Sequence, residues 1–212
     1  SYIDLEDEEE RYVSTPENGG STLIPEGDLQ AGSLYSIAHQ PGDGNLGLVR
    51  LDLQVMPGNG KFTHTGFGGG SKISDELKEA VNYCRSNLGR ISQSARFSDC
   101  ELHMKATDIN GIGTLEGLEL GVFISLVSGI TGRSIQSQMC VLGSMSIGGT
   151  IIPTSDLAGA LQIAHDAGAK RILIPVADMM QYSKVPADLI SKFSLEVYSD
   201  PVDAAFKALG IK

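Results

Sequence analysis

Apolar and polar residues alternate most clearly between residues 46 and 56, where Leu48, Arg50, Asp52 and Gln54 interleave with Val49, Leu51, Leu53 and Val55. A period of two marks a strand with one buried face. The stretch 33–38 lies just upstream, across the turn Pro41-Gly42-Asp43-Gly44-Asn45, and the pair predicts a β-hairpin. A second turn, Pro57-Gly58-Asn59-Gly60, leads into residues 61–67. Beyond the glycine cluster at 66–71 the period changes. Leu77, Ala80, Val81, Cys84 and Leu88 recur at i, i+3, i+4, i+7 and i+11, which predicts an amphipathic helix over 75–88 starting at Ser74.

Alternation returns at 100–106, a further strand. Residues 118–130 are apolar on nearly every side, as in a fully buried helix, ending near Gly132. Short strands are expected at 139–142 and 150–152, then a helix capped by Thr154 or Ser155 and stopped at Gly168. The run 171–175 is continuously apolar, the pattern of a parallel strand covered on both faces. A short helix at 186–192 and a strand at 195–198 follow. Asp200 as N-cap, Pro201 at the first helical position and Gly210 past the end frame a last helix. This order predicts an α/β (α+β) domain, with an N-terminal β-hairpin region and helices packed on a mixed sheet.

Composition changes this picture in two places. The net charge of −10 is concentrated in residues 1–30, where nine acids face Arg11 alone. Residues 1–31 therefore read as an acidic, flexible arm or linker and 32–212 as the folded domain. The nearly neutral body gives no electrostatic footprint for nucleic acid. Cys84, Cys100 and Cys140 are odd in number and widely spaced, which suits a reducing cytoplasm and argues against a disulfide framework or a zinc site. No apolar run approaches the roughly 18–20 residues of a membrane span, and Ser1-Tyr2-Ile3-Asp4 does not open a signal peptide.

Most candidate motifs fail on spacing. A P-loop needs glycine five residues before its Gly-Lys pair and Ser or Thr after it; around Gly60-Lys61 those positions hold Val55 and Phe62. The histidines His39, His64, His103 and His165 form no i, i+4 pair. His103 shares a strand face with Glu101 and Lys105, which reads as exposed surface. Met179-Met180 reads as core filler. No cofactor is expected in this chain.

One extended pattern remains. Residues 142–153, Leu-Gly-Ser-Met-Ser-Ile-Gly-Gly-Thr-Ile-Ile-Pro, continue through Leu157, Leu161, Ala164 and His165 to Ala167-Gly168-Ala169-Lys170-Arg171-Ile172-Leu173-Ile174-Pro175. Upstream lie Pro57-Gly58-Asn59-Gly60-Lys61 and Leu126-Val127-Ser128 with Thr131-Gly132-Arg133. In order and spacing these segments, over about residues 32–210, resemble the C-terminal proteolytic domain of Lon proteases. The segments 142–149, 116–123 and 198–204 are similar to the Lon-like proteins of the BREX phage-defence system. That resemblance implies an upstream AAA+ ATPase module using ATP and Mg, assembly into a homo-oligomeric ring, a cytoplasmic role in blocking phage, and no membrane. DNA is a possible partner of the whole protein but is not expected on this domain.

The resemblance also implies chemistry, a serine attacking the peptide carbonyl while a desolvated, neutral lysine takes its proton. The family serine falls sixteen residues before Arg133, at Gly117, and the family lysine seven after Pro153, at Ala160. Neither position carries the required group. Thr114 and Ser144 are weak substitute nucleophiles, with Lys105 or Lys170 as amines. Thr114 reads better as a turn or helix cap, and Ser125 and Ser128 as buried hydroxyls bonded back to helix carbonyls. Glu116 and Glu119 are expected to place negative charge where an oxyanion would form. The sequence thus favours a non-catalytic Lon-like domain serving ring assembly. It leaves open an ATP-dependent peptidase with a displaced nucleophile, and direct partner binding.

Overall fold

Residues 23–42 and 44–211 are described by the structure, a computed structural model. Of the arm expected over residues 1–31, residues 1–22 lie outside them. Ile24, by contrast, is buried in the core and its N–H donates to the Ala167 carbonyl at 2.9 Å, so the packed domain begins before residue 32. The predicted hairpin forms. β1 (Leu34–His39) pairs antiparallel with β2 (Leu46–Pro57), with Leu34 opposite Leu51 and His39 opposite Leu46. β3 (Phe62–Thr65) and β4 (Cys100–Asp108) extend this half, β4 antiparallel to β2 and β3 parallel to β4. On the other side of β1 come β5 (Met139–Val141), β8 (Arg171–Pro175) and β9 (Ser194–Tyr198), all parallel. The seven-stranded mixed sheet runs β3-β4-β2-β1-β5-β8-β9, and β6 (Ser144–Met145) with β7 (Ile151–Ile152) makes a separate two-stranded hairpin.

The two halves of the sheet are covered differently, as their sequences require. Across β3, β4 and most of β2 only one face is apolar, whereas next to the parallel half Tyr35, Ile37 and Leu48 of the hairpin join the second core cluster. Val49, Leu51, Leu53, Leu102, Met104 and Ala106 join the larger core cluster, while Gln54, Lys105 and the β3 residues His64 and Thr65 are exposed. In the parallel half both faces are covered. Val141 and Leu173 point into the larger cluster, and Cys140, Ile172 and Ile174 into the second one, so the strand reads as an unbroken apolar run.

Three helices cover the larger cluster: α1 (Ser71–Asn87), α2 (Glu119–Thr131) and α5 (Pro201–Leu209). α3 (Leu157–Ala167) and the short α4 (Ala187–Ile190) cover the second. α2 is buried from Glu119 to Ser128 and is the central helix. α1 starts four residues earlier than the apolar pattern suggested. Ile73 is buried in line with Leu77 and Ala80, and Gly70 at φ 115° turns the chain directly into the first turn. The N-cap of α3 is Asp156, whose carboxylate accepts the Gly159 N–H at 3.0 Å, and not Thr154 or Ser155. The cap predicted for α5 holds, with Asp200 accepting the Asp203 N–H at 2.8 Å.

Two expectations change. Met179 and Met180 are 42% and 86% exposed; they lie in 3-10 turns at Val176–Lys184 and fill no core. Ser125 and Ser128 reach across to the strand entry instead of bonding back along their helix. The Ser125 hydroxyl donates to the Gly32 carbonyl at 2.6 Å, and Ser128 Oγ accepts the Gly32 N–H at 2.8 Å while donating to the Arg133 carbonyl at 2.6 Å. These bonds pin α2 to the start of β1. Leaving buried partners unsatisfied costs about 1–3 kcal/mol, so S128A should lower the unfolding free energy by that amount, read as a lower urea midpoint at an unchanged m-value; no shift would show the pin to be energetically idle.

Candidate functional site

The two positions that would carry a Ser-Lys dyad lie in different surroundings. Glu116 pairs with His39 at the end of β1, each residue's N–H donating to the other's carbonyl at 3.0 Å. The chain then has to bend from this bridge into α2, and it does so through Gly117 at φ +83°. The imidazole of His39 lies directly against that glycine. A Cβ added there would sit 2.8 Å from His39 Cδ2 and 2.9 Å from Nε2. His39 Nδ1 donates to the Gln40 carbonyl at 3.0 Å, which fixes the ring. The Gly117 N–H, the backbone donor at this position, is taken by Glu76 Oε1 at 3.0 Å. Nucleophile volume and donor are both occupied by other groups.

A cavity of about 120 Å³ opens beside Gly117, lined also by Ile37, His39, Ser144, Ile152 and Thr154. Ala160 is not on its wall. It is completely buried in the second core cluster, on the same face of α3 as Leu157, Leu161 and Ala164. A lysine there would put a charge into apolar packing, at a cost unless it were neutral or paired.

The substitutes are scattered. Thr114 lies beside Gly68 and does not cap α2, whose N-cap is Leu118. Lys105 and Lys170 are exposed on β4 and before β8. Ser144 is at the cavity, but its hydroxyl donates to Glu119 Oε1 at 2.9 Å. An amine at the edge of the site, Lys72, was missed in the sequence. It is 70% exposed and bonded to Glu116, whose side chain is 4% exposed. The hydrogen bond and charge of Glu116 raise the Lys72 pKa, opposite to what a lysine base requires. Among the described residues, no lysine nitrogen bonds a serine or threonine hydroxyl.

The expected field of two negative charges is not what the site contains. Glu116 is neutralised by Lys72. Glu119, 6% exposed, is pushed up to about 8 by burial, then by the charge of Glu76 and a hydrogen bond to it, so at pH 7 it holds its proton. That proton answers a question of satisfaction. Glu76 Oε2 is buried and has no donor if Glu119 is a carboxylate; protonated Glu119 supplies one. Two acids sharing a proton are also the arrangement of an aspartic-type hydrolase, but the space beside them is about 10 Å³, at the lower limit for one water.

Asp178 is the other residue sequence reasoning passed over. It is fully buried, accepts the Thr154 N–H at 2.8 Å, and is raised by burial against the opposing Thr154 bonds. Gln181 adds a bond to the Thr154 carbonyl at 2.6 Å. Together they hold the cavity wall that leads into α3. No group of three or more metal-binding side chains occurs among the described residues, and none of their helices is long and apolar enough to cross a membrane.

Two outcomes follow. A left-handed backbone costs a non-glycine residue roughly 1–2 kcal/mol, so G117S should lower Tm by about 2–8 °C. H39A should relieve part of that loss in the double variant; an unchanged Tm for G117S would contradict the geometry. The fold raises the Glu119 pKa from 4.5 to about 8, so its contribution to stability is fully present below 4.5 and lost as pH rises through about 8. Denaturant titrations across this window should show the decline, and E119Q should flatten it.

The chain is 43% identical over 211 residues to the Lon-like protease BrxL of Escherichia coli O9:H4 (strain HS) and 40% identical over 212 residues to that of Bacillus cereus (strain H3081.97). Each match takes in 100% of this chain but only 30% and 31% of the relative, so the chain spans under a third of their length. Lon protease 1 of Sorangium cellulosum (strain So ce56) is 30% identical over 158 residues, 71% of this chain and 18% of that protein. The model of the Lon protease (S16) C-terminal proteolytic domain matches residues 25–209, and with that match the chain belongs to the Lon C-terminal proteolytic domain family.

Proposed function

We propose that this domain keeps the Lon fold without its peptidase chemistry, and serves to assemble and position an upstream AAA+ ATPase in a cytoplasmic ring of the BREX phage-defence type. The observation carrying this reading is Gly117, with the His39 ring in the space of a nucleophile and Glu76 on its N–H. Ala160, buried among apolar neighbours, supports it from the base side. Losing a nucleophile or base costs a serine protease about 10⁶ in turnover, and what remains from binding and oxyanion contacts is about 10³–10⁴ over water. The ATP and Mg belong to the motor, the acidic arm is its tether, and DNA is a partner of the whole protein at most, with the contact elsewhere than on this domain. Sedimentation or light scattering of the full-length protein at micromolar concentration with nucleotide tests the assembly role. A ring that is lost on deletion of this domain is expected, and a strictly monomeric protein would remove the proposal.

One observation favours a second reading, an ATP-dependent peptidase with Ser144 as displaced nucleophile. Ser144 faces the cavity, and its hydroxyl is bonded to a carboxyl raised to about 8, near the value that suits a general base. That reading predicts casein turnover rising with pH through about 8 and vanishing in S144A and E119Q. The preferred reading predicts no turnover at any pH in wild type or variants.

A further inference from the structure

Away from Gly117, a surface cavity of about 590 Å³ lies where the C-terminal end of α1 meets the β2–β3 turn and the entry to β4. Arg85, Arg96, Asn59 and Ser92 line it, together with buried Leu88 and Phe97, and no Asp or Glu is on its wall. Arg85 is held in place. Its guanidinium lies 4.8 Å from the centre of the Phe97 ring and donates to the Gly60 carbonyl at 2.9 Å. Ser92 Oγ accepts the Ala95 N–H at 3.2 Å, which orders the loop leading to Arg96. None of the ion pairs among the described residues engages Arg85 or Arg96. Exposed Lys61 and Arg90 adjoin the lining residues Gly60 and Gly89, and the acids Asp99 and Glu101 lie off the wall.

We propose that this cavity is a docking site for a carboxylate-rich peptide segment, the acidic run at residues 4–10 of the same chain. Charge complementarity selects that occupant. Six of those seven residues are Asp or Glu, the densest negative charge in the sequence. The cavity offers them two guanidinium groups, which match carboxylates through paired N–H donors, and no carboxylate of its own to compete. The site stands apart from Gly117 and holds whichever reading of function does. On the tether reading, docking of the run fixes where the upstream module leaves the domain.

The chain is long enough to reach. The described residues begin at Leu23, whose carbonyl accepts the Tyr35 hydroxyl at 2.8 Å. Tyr35 pairs with Arg50, and β2 runs on from there to Pro57, opposite Cys100 at the start of β4. Entry point and cavity are therefore at the same end of the sheet, roughly 25–30 Å apart at about 3.3 Å per residue and about 4.8 Å per strand. From Glu10 to Leu23 is 13 residues, which span up to about 43 Å when extended. Such a tether supplies an effective concentration on the order of millimolar, so several individually weak, exposed ion pairs suffice to hold the run.

Hydrogen–deuterium exchange of residues 89–98 in the full-length protein at low salt tests this. Reversing the run with E8K, E9K and E10K together should speed exchange there by about two- to tenfold. R96E, at an exposed position, should do the same, and so should about 0.5 M salt on the wild type. The reversed run leaves the cavity's own side chains unchanged, so it separates docking from a structural role of Arg96 and keeps the test intact if R96E fails to fold. Wild-type exchange equal to that of the reversed run, or protection that survives in R96E, would overturn the proposal. Protection regained on mixing run-reversed chains with R96E chains would also overturn it, by bringing the run from a neighbouring copy.

Discussion

Everything at the site depends on the backbone at Gly117. Glu116 is locked to His39 by two hydrogen bonds, and α2 must begin at Glu119, leaving two residues to turn the chain. The left-handed conformation at Gly117 makes that turn, and a glycine there lets the His39 ring close over it. The same turn directs the 117 N–H to Glu76 and sets Glu119 in the first turn of α2, facing Glu76 and Ser144. A serine at 117 would strain the backbone and collide with the ring. The absence of a hydroxyl at position 117 is thus built into the packing and is not a single missing oxygen.

The charge arrangement follows the same logic. A Lon-type site needs a neutral amine in a dry environment, and here Lys72 at its edge is solvent-exposed and held charged by Glu116. The dry place is instead given to acids, one of which keeps its proton to satisfy the other. Asp178 extends the pattern on the opposite wall, where a buried carboxyl fixes the Thr154 backbone. The buried acids act as connectors between elements, through bonds that burial makes strong and pH-sensitive.

Much of the fold was legible because burial writes its period into the chain. β2, β8 and α2 were placed within a residue or two from alternation, a continuous apolar run and an all-round apolar helix. The start of α1 was missed because Ile73 is a single apolar residue in a polar stretch, and the α3 cap because Thr154, Ser155 and Asp156 are all competent cap residues and only the Asp178 bond decides among them. At the site, spacing was enough to find Gly117 and Ala160. It could not find His39, Lys72, Glu76 or Asp178, which are 78, 45, 41 and 61 residues from Gly117 in sequence and meet its surroundings only once strands and helices have packed together. Nor could it give the protonation of Glu119, which comes from burial next to Glu76 and not from residue type. Met179 and Met180 misled because apolar pairs are commoner inside than on a turn.

The central claim is that no hydroxyl in this domain is activated toward a carbonyl-like centre. Intact-protein mass spectrometry after incubating the full-length assembly, with ATP and Mg, with a serine-reactive fluorophosphonate tests it most directly. An unchanged mass is expected. Stoichiometric addition mapped to Ser144, Thr114 or another hydroxyl of residues 23–211 would contradict it.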